Sequence, residues 1–110
     1  METTPVYVGI DVAKESLDIA TTSVHAIRFA YDHKGMKEAA CFLKKLKAVL
    51  VVLEATGRLE SALVATLQSA GLPVVVVNPR QVRDFAKAKG ILAKTDAVDA
   101  RVLALFGEAV

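Results

Sequence analysis

One cysteine, Cys41, is all the chain has, which excludes an internal disulfide and reads as a small apolar residue in a reducing cytoplasm. The two histidines, His25 and His33, offer no metal-ligand spacing and take surface or strand-end places. No apolar run approaches the roughly 20 residues of a membrane-spanning helix; the longest, around 49–53 and 74–77, are strand-length. The N-terminus, METTPVYV, lacks the basic segment followed by a long apolar one that marks a signal peptide. Internal repeats, low-complexity tracts and linkers are missing too. What is present is apolar: 54% of 110 residues, above the usual range, so a single domain over 1–110 with a dry, two-sided core is expected.

The net charge of +2 decides little, but its distribution is uneven. Between 80 and 101 lie Arg80, Arg83, Lys87, Lys89, Lys94 and Arg101, against Asp84, Asp96 and Asp99. If the last two acids belong to a site, the surface around them is basic and suits a polyanionic partner. A solvated helix face accounts for the same charges equally well.

Taken in order, residues 6–11 (VYVGID) are apolar on both parities until the final acid, the mark of a central strand covered on both faces. Gly9 shares a face with Asp11 and leaves space beside it. Residues 16–22 and 26–31 alternate, so three strands joined by short turns form an antiparallel meander. A helix is expected from Gly35 to about Lys47, with Met36, Ala39, Ala40, Leu43 and Leu46 at helical spacing. Residues 49–54 (VLVVLE) form a second buried strand ending in an acid. A helix over about 58–70 stops at Gly71, and 72–78 (LPVVVVN) is a third buried strand. Pro79 opens a helix to about Lys89, on which Arg80, Arg83 and Lys87 make one basic stripe. Thr95 is a good N-cap for a last helix from Asp96 to about Glu108. Strands after the first helix need crossovers and run parallel to the first strand. The result is an α/β domain with a mixed five-stranded sheet and helices on both faces.

In such sheets, sites form beyond the carboxyl ends of the strands. Asp11 and Glu54 each end a buried strand. At about 100° per residue, Asp96, Asp99, Leu103 and Phe106 fall in one sector of the last helix, with Arg101 and Glu108 opposite. Asp96 and Asp99 therefore continue its apolar stripe and point toward the strand ends. Each acid has an ordinary reading by itself: a strand-end acid, a turn cap, a first-turn acid favoured by the helix dipole, a partner for a nearby base. Together, four inward carboxylates need protons, cationic partners or divalent metal. Oxygen-only ligands suit Mg²⁺ or Mn²⁺, and two ions about 4 Å apart serve phosphodiester chemistry.

GIDVAK at 9–14, LEATG at 53–57, Asn78-Pro79 and AKTDAVDA at 93–100 resemble the N-terminal domain of the DEDD-type insertion-sequence transposases (family one-ten), which include Piv-type DNA invertases. The resemblance covers nearly the whole chain. It implies a RuvC-like, ribonuclease-H-like fold and an acidic tetrad at Asp11, Glu54, Asp96 and Asp99 that binds Mg²⁺ or Mn²⁺, as two ions, at the DNA phosphate to be cut. It places Lys94 and Thr95 at the family's Lys-Thr, Lys94 either at a phosphate or in solvent. It also implies a structured guide RNA, a homo-oligomer and a second, C-terminal transposase domain carrying a serine, so this chain is expected to be the N-terminal part of a longer transposase.

The leading reading is thus the DNA-cleaving domain of a transposase or site-specific recombinase, with Arg80, Arg83, Lys87 and Lys94 as its nucleic-acid contacts, and with no membrane partner. The alternatives are a RuvC-type Holliday-junction resolvase and a non-catalytic nucleic-acid-binding or assembly module. An actin-like kinase is set aside because Val12-Ala13-Lys14 lacks the glycine of a phosphate loop and one domain is too short for that fold.

Overall fold

A computed structural model describes residues 4–22, 26–57, 59–91 and 98–110. In chain order the elements are β1 (Val6–Val12), β2 (Ser16–Thr21), β3 (Ile27–Ala30), α1 (His33–Leu46), β4 (Ala48–Glu54), α2 (Ser61–Ser69), β5 (Val74–Val77), α3 (Pro79–Ala88) and α4 (Ala100–Ala109). The five strands form one sheet in the order β3-β2-β1-β4-β5. β1, β2 and β3 pair antiparallel, while β4 runs parallel to β1 and β5 parallel to β4. The expected meander followed by parallel strands is the observed one.

Strand parity divides the side chains between two apolar layers. Val8, Ile10, Leu17, Ile19, Val51 and Leu53 meet Ala39 and Leu43 of α1 and Leu63 and Leu67 of α2 on one face. Val52 meets Val82 and Ala86 of α3 and Val102 and Leu103 of α4 on the other. β1 and β4 read as unbroken apolar runs because they are central and covered twice. β5 has the same composition but a different place. It is an edge strand, with Val75 and Val76 about two-fifths exposed, and corrects the expectation of a third fully buried strand.

Local chemistry sets the helix ends. Asp32 caps α1 by accepting from the Gly35 N–H at 2.7 Å, so the helix opens at His33, two residues before Gly35. α2 starts at Ser61, later than expected. The turn before it is tied by Glu60, which accepts from the N–H of Thr56 at 2.6 Å and from its hydroxyl at 2.8 Å. Asn78 caps α3 through the Arg80 N–H at 2.8 Å, with Pro79 in the first turn as expected.

α4 lies directly on the middle of the sheet. A Cβ at Gly9 would sit 1.9 Å from the carbonyl oxygen of Ala100, and one at Gly107 would sit 2.6 Å from Val52 Cγ2. The space beside Asp11 that a glycine leaves is therefore filled by the α4 backbone. Ala100, Leu103, Ala104 and Gly107 are the buried strip of that helix.

Candidate active site

Asp11 stands one residue from the end of β1 and Glu54 ends β4. The parallel register pairs Ile10 with Leu53, so the two acids follow side by side at the carboxyl edge of the sheet. Both share the parity of Gly9 and Val52, the face covered by α3 and α4. The antiparallel register sets Asp18 of β2 directly opposite Asp11, and Arg28 of β3 opposite Asp18. One face of the sheet thus carries a row of charged side chains across its four neighbouring strands.

Asp99 reaches this row from above, but not as a helical residue. It is extended (φ −113°, ψ −179°) and is the N-cap of α4, its carboxylate accepting from the Val102 N–H at 3.0 Å. The expected last helix, with Asp99 inside its first turn, is corrected: α4 begins at Ala100 and Asp99 is its cap. Short acidic side chains favour such a cap over a helix interior because they compete for backbone N–H groups. The Gly9 contact then seats the start of α4 over β1 and delivers Asp99 to Asp11. Lys94, Thr95 and Asp96 lie outside the described residues.

Asp11, Asp18 and Asp99 line a cleft of about 220 Å³ together with Ala100 and Arg101. Burial raises the Asp11 carboxyl above its ordinary 3.8; the neighbouring charges of Asp18 and Asp99 raise it further, and Arg28 opposes them. Glu54 is raised above 4.5 by burial first and by Asp11 second, with Arg83 opposing. Arg83 is half-buried on α3, between exposed Arg80 and Lys87. Of the basic stripe, Arg83 therefore flanks the Glu54 end of the row.

Oxygen donors whose charge is resisted by burial and by each other are the chemistry a hard divalent cation relieves. Among the described residues no group of three His, Cys, Asp or Glu side chains is close enough to hold a metal ion. Asp11 with Glu54 on one side and with Asp99 on the other are adjacent pairs, and the fourth expected acid, Asp96, is outside those residues. The donor set fits a divalent metal in kind.

Three residues at the site escaped sequence reading. Asp18 sits in an alternating strand, and only the hairpin register, Val12 opposite Leu17, turns it toward Asp11. Arg28 holds Asp18 through two hydrogen bonds, Nε at 2.8 Å and Nη2 at 3.1 Å. Arg101, expected on the far side of the last helix, instead lines the cleft and donates from Nε to the Thr22 carbonyl at 3.2 Å. The later helix start explains this: at the second helical position Arg101 lies beside the cap.

A mixed sheet of this order, with acids at the ends of β1 and β4 and a helix bringing another across them, defines a ribonuclease-H-like domain of the RuvC type. The fold is shared with Thermus thermophilus RuvC in complex with Holliday junction substrate (TM-score 0.66, 18% identity, 93% of this chain and 91% of that one). Fowlpox virus resolvase in complex with Holliday junction DNA has it as well (TM-score 0.51, 15% identity, 92% of each chain). A family model described as transposase matches residues 8–108, and the chain belongs to the DEDD-type insertion-sequence transposases (family one-ten). Pilin gene-inverting proteins of Moraxella bovis and Moraxella lacunata are 32% and 31% identical over 108 residues, 92% of this chain. The chain spans 34% of the length of either relative.

Proposed function

We propose that this domain cleaves DNA phosphodiesters for a transposase or site-specific recombinase, with Asp11, Glu54, Asp96 and Asp99 as ligands to Mg²⁺ or Mn²⁺, as two ions. The observation that carries the reading is the meeting of Asp11 with both Glu54 and Asp99, from three separate elements, at the carboxyl edge of the sheet. Bound metal would supply charge neutralisation at the phosphate and an activated attacking oxygen. The chain's own part is to hold the carboxylates on rigid strand ends, to fix Asp99 by its cap bond, and to bring Arg80, Arg83, Lys87 and Lys94 to the DNA backbone. Fixed donors of this kind need little reorganisation as charge develops at the reacting phosphate.

In this reading the 110 residues form the N-terminal domain of a longer cytoplasmic protein, which works as a homo-oligomer with a C-terminal domain and a structured guide RNA. The greater length of the pilin gene-inverting proteins supports the further domain. The family resemblance supports the oligomer and the RNA.

The test is strand cleavage of labelled duplex and four-way-junction DNA by the transposase carrying this domain, in Mg²⁺ or Mn²⁺. Asp11→Asn and Glu54→Gln should each lower cleavage by roughly a thousand-fold or more, with DNA binding retained. Cleavage that persists in the double variant would transfer the chemistry elsewhere and leave this domain a binding module. Cleavage of junctions alone, with no further domain required, would favour the resolvase reading.

A further inference from the structure

The cleft that holds three carboxylates should repel a phosphodiester, yet it is bordered by two guanidinium groups from different elements. Arg28 comes from β3 and Arg101 from the first turn of α4. Each is fixed along its Nε edge, Arg28 on both oxygens of Asp18 and Arg101 on the Thr22 carbonyl. Among the described residues the Nη1 group of Arg28 is unengaged, and its side chain is 71% exposed while Asp18 beneath it is 27% exposed. An exposed cross-strand ion pair usually contributes little to stability. This pair does something else as well: it occupies Asp18, the acid facing Asp11, and presents a planar donor beside the cleft.

We propose that Arg28 and Arg101 form a phosphate-binding rim on the β2–β3 side of the acid cleft, held by Asp18 and the Thr22 carbonyl, so that a nucleic-acid strand crosses the site from α3 to β3. Arg83, on the same α3 stripe as Arg80 and Lys87, flanks the Glu54 end of the carboxylate row, and the new rim flanks the Asp18 end. A strand held at both ends is drawn over Asp11 despite the local negative charge. Asp18 is then a positioning residue for Arg28, not a fifth metal ligand, since both of its oxygens are engaged. That Arg28 acts on Asp11 electrostatically places its charge within reach of the site. Guanidinium groups fixed on one edge suit backbone phosphate, which they meet with two parallel N–H donors.

The proposal rests on the DNA reading, and one titration separates the two. The full chain, in Ca²⁺, is titrated with fluorescent duplex and four-way-junction DNA across a range of salt. Arg28→Ala with Arg101→Ala should weaken binding about ten- to a hundred-fold at low salt and shrink the slope of log K against log salt by about 1–2. Arg28→Lys should keep most of the slope. Asp18→Asn should weaken binding while leaving the Arg101 contribution intact. An unchanged slope in the double variant, with Arg80→Ala still weakening binding, would overturn the rim and leave the DNA reading standing. Loss of melting temperature in Arg28→Ala with no change in slope would also overturn it, by making the pair structural only. If the unsubstituted chain binds neither DNA, both readings fail together.

Discussion

Asp11 is the residue on which the site turns. Its carboxylate faces Asp18 across one strand pair, follows Glu54 across the other, and meets Asp99 from α4. Burial and like charges raise its pKa, so the folded state holds the proton more tightly than the unfolded chain. Stability then falls as pH rises from the ordinary carboxylate value through the raised one, because the folded state binds more protons across that window. In metal-free protein, Asp11→Asn should therefore raise the melting temperature at neutral pH, by about 2–5 °C after allowing for solvent screening. It should also flatten the pH dependence just above pH 3.8. A lower melting temperature in Asp11→Asn at neutral pH would contradict this charge balance.

At the scale of elements, the decisive contact is α4 against β1. Gly9 is where a strand and a helix backbone touch, and any Cβ there meets the Ala100 carbonyl and the Ala104 nitrogen, neither of which can swing aside. Gly9→Ala should cost about 3 kcal/mol by overpacking, read by denaturant unfolding. It should also lift the start of α4, and with it Asp99, so any metal response should weaken more than the stability loss alone explains. An alanine variant as stable as the parent would mean that α4 docks elsewhere. β5 shows the opposite side of element-level logic. Four consecutive valines predict a buried strand, but a strand's neighbours decide its burial, and β5 has a partner on one side only.

At the scale of the molecule, the two layers divide labour. The face carrying α1 and α2 buries the larger apolar cluster, while the face carrying α3 and α4 combines a smaller one with the described charged residues of the site. Metal that relieves the acids of the folded state and finds no such cluster in the unfolded chain stabilises by linkage. Millimolar Mn²⁺ should raise the melting temperature of the parent by several degrees, roughly as expected for a ligand well above its Kd, and Asp99→Asn should reduce that gain. Identical melts with and without Mn²⁺ would remove the metal site from the isolated domain.

Much of this architecture is legible along the chain, because the signals involved are local. Unbroken apolar runs ending in Asp11 and Glu54, alternation in the next two strands, and Asn78-Pro79 at a helix start specify the strands, their directions and the edge at which the acids emerge. Tertiary structure decided the rest. Whether Asp99 caps a helix or lies inside it depends on where α4 can begin once its backbone rests on Gly9. Whether Asp18 belongs to the site depends on a hairpin register, and whether Arg28 and Arg101 border it depends on strands and helices far apart in sequence. Periodicity reports which face of an element is apolar; it carries no information on which element lies across from that face, and that is what brings Asp18, Arg28 and Arg101 to Asp11.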